Sequence, residues 1–222
     1  MAAELDGPRL EPRSGQARRL VVFLHGYGAD GNDLIELGRQ WQGLLPDTAF
    51  VAPHAPERCA QAPMGRQWFA LTLRDPSERW VGVNKASPAL ERFLDAELKR
   101  RNLPPTALAL VGFSQGTMMA LHHGLRRAVP PFAIVGYSGL LALPPNPEAL
   151  AAEIKTRPPI LLVHGDRDEL IPLDELFEAS GRLASIDIPV EWHLSHGIGH
   201  GIDPEGLRHG GEFLARRAKA IR

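Results

Sequence analysis

Five stretches of the chain are apolar without a break: residues 20–24, 49–52, 107–111, 132–135 and 160–163. Each is too short for a buried helix and suits a strand covered on both faces, where no alternation is needed. Residues 190–194, Val-Glu-Trp-His-Leu, alternate by halves, as an outer strand does. Between these runs the apolar positions take a helical period. Leu34, Ile35, Leu37, Trp41 and Leu44 predict a helix over residues 34–45, with Asn32 or Asp33 as N-cap and Pro46 as the stop. Ser87 as N-cap and Pro88 in the first turn open a second helix carrying Leu90, Phe93, Leu94 and Leu98 to about Asn102. Further helices are expected over about residues 115–127, near 147–154, from Pro172 through Leu183, and from Asp203-Pro204 with Leu207, Phe213 and Leu214. Strands that alternate with helices predict an α/β fold with a mostly parallel central sheet covered on both faces, and ligands at the carboxyl ends of the strands.

Two regions resist this pattern. Residues 1–17, rich in Pro, Gly and Arg, are expected to be a flexible or edge-strand N-terminus, with one domain spanning residues 18–222. Residues 53–84 have no period and are interrupted by Pro56, Pro63, Gly65, Pro76 and Gly82. Loops of that length usually carry function. This one holds Met64, Trp68, Phe69, Leu71, Trp80 and Val81, too many apolar side chains for a solvated linker. It reads as the wall of an apolar substrate cleft, or as a satellite core cluster beneath the loop, with room for a short hairpin.

Composition narrows the function. The 222 residues carry 25 Lys plus Arg against 26 Asp plus Glu, and neither sign forms a block, so nothing favours nucleic acid or an anionic membrane surface. Cys59 stands alone, which excludes an intramolecular disulfide and a thiolate metal cluster. The first residues lack an apolar leader and no run approaches the roughly 18 apolar residues of a membrane span. A cytoplasmic protein without stable membrane insertion is the expectation.

The chemistry gathers around Gly112-Phe113-Ser114-Gln115-Gly116, a G-x-S-x-G sequence between a strand and a helix. A serine at such a turn is a nucleophile that needs a base and an acid to orient the base, in the chain order Ser, acid, His. Asp166, Asp168 and Glu169 follow the strand that ends at His164, and spacing alone leaves them open. Among the later histidines, His193 lies in a strand and His209 in a helix, positions that suit structural roles. His196 and His200 flank Gly197-Ile198-Gly199, and His200, between two glycines and just ahead of a helix, is free to lean over the strand ends. The spacing His193-x2-His196-x3-His200 imitates a metal cluster, but it crosses a strand and a glycine turn and is not read as one. An oxyanion hole needs two N–H donors: the residue after the nucleophile, Gln115, and Tyr27 in the glycine loop after the first long strand. His25, ahead of the nucleophile in the chain, suits a local hydrogen bond that holds that loop.

Taken in order, Phe23-Leu24-His25-Gly26 with Gly28 and Asp30, Trp68-Phe69, Gly112-Phe113-Ser114-Gln115-Gly116, His164-Gly165-Asp166 with Asp168, Ile171 and Pro172, and Gly199-His200 resemble the phospholipase/carboxylesterase family of α/β-hydrolases, which includes the acyl-protein thioesterases. The resemblance implies Ser114 as nucleophile, Asp168 as orienting acid ahead of Asp166, which would cap its own turn, His200 as base, and the N–H groups of Tyr27 and Gln115 as oxyanion donors. It implies a carboxylesterase on a small to medium acyl ester, or a thioesterase or lysophospholipase using the same residues. No metal or other cofactor is implied, and a homodimer is common in the family. Met64, Trp68, Phe69 and Leu71 are the expected substrate-binding residues. Two positions depart from the family's pattern and bear on substrate preference: Tyr27 replaces a common Leu, and Ala70 replaces an acidic residue after the aromatic pair.

Overall fold

The computed structural model describes residues 4–72, 75 and 77–220. In chain order the elements are β1 (Arg9–Leu10), β2 (Arg19–Leu24), α1 (Gly31–Trp41), β3 (Thr48–Val51), β4 (Glu57–Arg58), β5 (Arg66–Gln67), α2 (Ser77–Arg100), β6 (Leu108–Phe113), α3 (Gln115–Arg126), β7 (Ala133–Tyr137), α4 (Leu150–Glu153), β8 (Ile160–Gly165), α5 (Asp174–Ala184), β9 (Val190–Ser195) and α6 (Pro204–Ala220). Seven strands form one sheet in the order β1-β3-β2-β6-β7-β8-β9, in which only the β1–β3 pairing is antiparallel. β4 and β5 make a separate hairpin inside the segment that lacked a period.

The unbroken apolar runs are explained by what each face meets. Leu20, Val22 and Leu24 of β2 enter one core with Leu90 and Leu94 of α2, Met118 and Leu121 of α3, and Leu176 of α5. Val21 and Phe23 enter the other, with Leu34 and Trp41 of α1 and Phe213 of α6. A strand buried on both sides cannot carry a polar face. The chain leaves β2 toward β3 on one side, and β6 to β9 follow on the other. A crevice therefore opens over the carboxyl ends of β2 and β6, where the strand order reverses.

The expectations for two helices are corrected. The second helix starts at Ser77, well ahead of Ser87, and Pro88 lies inside it. Gly82, Val83 and Ala86 extend its buried stripe ahead of Leu90, so tertiary burial overrides the breaking tendency of Gly and Pro. Gly82 is required there: a Cβ would stand 2.1 Å from the Phe69 ring. α1 begins at Gly31 and ends at Trp41, short of Leu45. Its N-cap is Asp30, not Asn32 or Asp33, and the Asp30 carboxylate accepts from the Asn32 N–H at 2.8 Å. The N-terminal segment forms the edge strand β1, and Arg9 is tied to buried Glu97 of α2 at 2.7 Å. Pro76 and the first residues of the chain lie outside the described residues.

Candidate active site

Ser114 sits between β6 and α3 with φ 54° and ψ −116°, a left-handed conformation that costs a non-glycine residue about 1–3 kcal/mol. The turn is sharp because helix and strand pass in contact. A Cβ on Gly112 would stand 2.3 Å from the Gly116 carbonyl oxygen, and one on Gly116 would stand 1.7 Å from that of Leu24. The glycines two before and two after the serine are thus demanded by backbone, which cannot yield. α3 starts at Gln115, so its first N–H groups, which have no partner inside the helix, and its positive dipole end lie beside the serine.

At the carboxyl end of β8, Asp168 is fully buried at its side chain. Its Oδ1 accepts from the N–H groups of Leu170 and Ile171, both at 2.9 Å. Its Oδ2 accepts from His200 Nδ1 at 2.8 Å. A buried carboxylate is tolerable only when its lone pairs are used in this way. The bond also assigns the His200 proton to Nδ1, leaving the Nε2 lone pair free. His164, buried on β8, donates from Nε2 to the Ile171 carbonyl at 2.9 Å and so fixes the loop that carries Asp168. Ser138, with φ 43°, donates to the Gly201 carbonyl at 3.1 Å and anchors the loop that carries His200.

Ser114 and His200 line one cleft of about 330 Å³ together with Gly26, Tyr27, Leu71, Phe113, Met118 and Ile171. The His200 ring packs against Phe113, centroids 5.0 Å apart. Asp166 pairs elsewhere. Its carboxylate accepts from the Gly197 N–H at 2.6 Å and from His196 Nδ1 at 3.1 Å, so it straps two loops together and does not cap its own turn. His193 does not line this cleft; its ring packs against His209, tilted, with centroids 4.1 Å apart.

The glycine loop after β2 is held by His25. Its Nε2 accepts from the Ala55 N–H at 3.0 Å and its Nδ1 donates to the Gly26 carbonyl at 2.8 Å. Burial lowers its pKa to about 4, so this histidine stays neutral as a spacer. Tyr27 faces the cleft. Its phenol is pushed up to about 12, first by a hydrogen bond to Cys59 and then by burial, which ties the ring to the hairpin region.

Of the expected substrate-binding residues, only Leu71 lines the cleft. Met64 is 94 % exposed, at the tip of the hairpin. Trp68 and Phe69 are buried in the main core with Leu24, Leu90 and Met118, neither on the cleft wall nor in a separate satellite cluster. Trp68 Nε1 donates to the His25 carbonyl at 3.0 Å. The side chain of Gln115 clamps both residues by their backbone, Oε1 accepting from Trp68 N–H at 2.9 Å and Nε2 donating to the Phe69 carbonyl at 2.8 Å. Met118 and Ile171 were missed because each looks in sequence like an ordinary core position of its own element.

The sequence model described as Phospholipase/Carboxylesterase matches residues 5–217. The chain belongs to this family. Relatives in it include the esterase YpfH of Escherichia coli, 28 % identical over 86 % of this chain and 80 % of that protein. Acyl-protein thioesterase 1 of Saccharomyces cerevisiae is 26 % identical over 96 % of this chain and 98 % of its own. Among solved structures, esterase PE8 superposes with a TM-score of 0.92 at 44 % identity, covering 96 % of this chain and 99 % of that one. The family fold is the α/β-hydrolase fold. No helix among the described residues is long and apolar enough to cross a membrane.

Proposed function

We propose that this family member is a carboxylic ester hydrolase that works through an acyl-enzyme on Ser114. His200 Nε2 takes the serine proton as Oγ attacks the ester carbonyl, and returns it to the leaving alcohol. Water then repeats the cycle on the acyl-enzyme. Asp168 holds the Nδ1–H tautomer and stabilises the imidazolium that forms. The negative oxygen is received by the N–H groups of Gln115, at the positive end of α3, and of Tyr27. The observation that carries this reading is the buried Asp168–His200 hydrogen bond opening onto the same cleft as Ser114. The cleft walls Leu71, Phe113, Met118 and Ile171 are apolar and suit a short to medium acyl chain.

A thioester substrate is the second reading, since several relatives are named acyl-protein thioesterases. One series of assays tests both. p-Nitrophenyl esters from acetate to octanoate should turn over, with an optimum set by the cleft. Matched oxygen and thiol esters of the best acyl group then give the preferred leaving group. Absence of turnover on every oxygen and thiol ester, by protein whose fold is intact, would reject the hydrolase reading.

A further inference from the structure

The edge strand β9 meets α6 along a polar seam. Glu191, His193 and Ser195 alternate onto that face: Glu191 pairs with Arg216 at 2.6 Å and Arg217 at 2.7 Å, His193 packs against His209, and Ser195 donates to Asp203 at 2.6 Å. Trp192, between them, turns to Phe177 of α5. The middle of the seam is unusual. Glu205 and His209 are one helical turn apart on α6, so both reach the same side of the helix. One ring nitrogen of His193, one of His209 and a carboxylate oxygen of Glu205 all lie within 4.8 Å of one another. His209 Nε2 is 3.7 Å from Glu205 Oε1. His193 Nε2 is buried and has no hydrogen-bond partner among the described residues, so the seam holds an imidazole nitrogen whose lone pair or proton is left unused.

We propose that His193, Glu205 and His209 form a binding site for a divalent transition-metal ion of the zinc class, away from the catalytic cleft. Two imidazoles and a carboxylate are a donor set that such ions take, with water as the fourth ligand. Bonds of about 2.0–2.2 Å require the ligand atoms to close to about 3.4 Å apart, a change that side-chain torsions supply. The competitor is Arg208, whose Nη2 lies 3.3 Å from His209 Nε2 and 3.7 Å from Glu205. Its Nη1 is already engaged by Glu212 at 2.9 Å, so the guanidinium can yield the site and keep that partner. The ion would bridge β9 to α6, the two elements from which the His200 loop hangs.

The test uses zinc chloride alone on the whole protein. At a hundredfold excess over Kd, zinc should raise Tm by about 5 °C or more. His209→Gln, at a half-buried position, and Glu205→Gln, at an exposed one, should lose that shift and keep ester hydrolysis unchanged. Arg208→Gln should keep the shift at lower zinc. Cobalt(II) should give the visible absorption of a four-coordinate site in the wild type and not in His209→Gln. No Tm shift up to 100 µM zinc, taken as roughly the limit for a useful site, would overturn the proposal. A shift of equal size in both glutamine variants would also overturn it, since the ion would then be bound elsewhere.

Discussion

Gln115→Glu separates shape from hydrogen-bond polarity at the centre of the molecule. The residue is 0 % exposed, and its amide donates to one backbone carbonyl while accepting from one backbone N–H. Glutamate has the same size and keeps the acceptor facing Trp68 N–H. It replaces the donor by an oxygen set against the Phe69 carbonyl oxygen. The folded variant escapes a buried, repelled carboxylate by protonating it, and the O–H then donates to Phe69. The cost is bounded by that protonation. From an ordinary glutamate pKa of about 4.3, holding the group neutral at pH 8 costs up to about 5 kcal/mol. The folded-state pKa is raised, so the penalty is present at high pH and shrinks by about 1.4 kcal/mol per unit as pH falls, to about 2 kcal/mol at pH 6. Against a total stability of about 5–15 kcal/mol, the higher figure is decisive. Urea unfolding followed by tryptophan fluorescence at pH 6, 7 and 8, roughly spanning this window, measures the gap to wild type. A gap that stays constant with pH, or a variant as stable as wild type at the highest pH, refutes the role assigned to the Gln115 amide.

Asp168→Asn should lower kcat by about 10⁴ with little change in stability, because the two N–H donors at Oδ1 keep the amide oxygen there and turn the NH₂ group toward His200 Nδ1, reversing its tautomer. A loss of under tenfold in a steady-state assay would remove Asp168 from the mechanism. Ser114→Gly should abolish turnover and raise the urea midpoint by the equivalent of about 1 kcal/mol, since glycine accepts the backbone conformation that serine strains to hold. A lowered midpoint contradicts this. Gly116→Ala, whose Cβ would collide with the Leu24 carbonyl, should cost more than about 4 kcal/mol and lower Tm by about 10 °C or prevent folding; a melt like that of wild type denies the close passage of strand and helix. Burial lowers the pKa of His122 to about 3, below the unfolded value of about 6.5, so the unfolded chain takes up its proton first. Its stabilising neutrality is therefore complete above about pH 6.5 and is lost at about 1.4 kcal/mol per unit as pH falls below it. His122→Phe should flatten that acid limb in urea melts, and an unchanged slope would show that the group does not titrate this way.

Much of the molecule follows from local chemistry. A strand covered on both faces has to be apolar throughout, so the runs of β2, β3, β6, β7 and β8 identify themselves, and their alternation with helices implies the parallel sheet. The turn at Ser114 declares itself because strand and helix can pass only over glycine, and Gly112 and Gly116, four apart in the chain, stand two residues on either side of the serine. Those signals lie within a window of a few residues. Tertiary structure decided what depends on packing between distant segments. Ser77 to Ala86 joined α2 because Gly82, Val83 and Ala86 are buried on the side of the core that takes Leu90 and Leu94, which no local preference of Gly or Pro foretells. Trp68 and Phe69 went into the core because Gln115, far along the chain, clamps their backbone. Spacing left Asp166 and Asp168 equivalent; only the meeting of the β8 and β9 loops pairs Asp166 with His196 and Asp168 with His200. The supports at His25, His164 and Ser138 and the facing of His193 with His209 have the same origin. Each is a contact between residues that share a neighbourhood only after the sheet has assembled, and a hydrogen bond or ring contact at such range leaves no periodicity in the sequence to read.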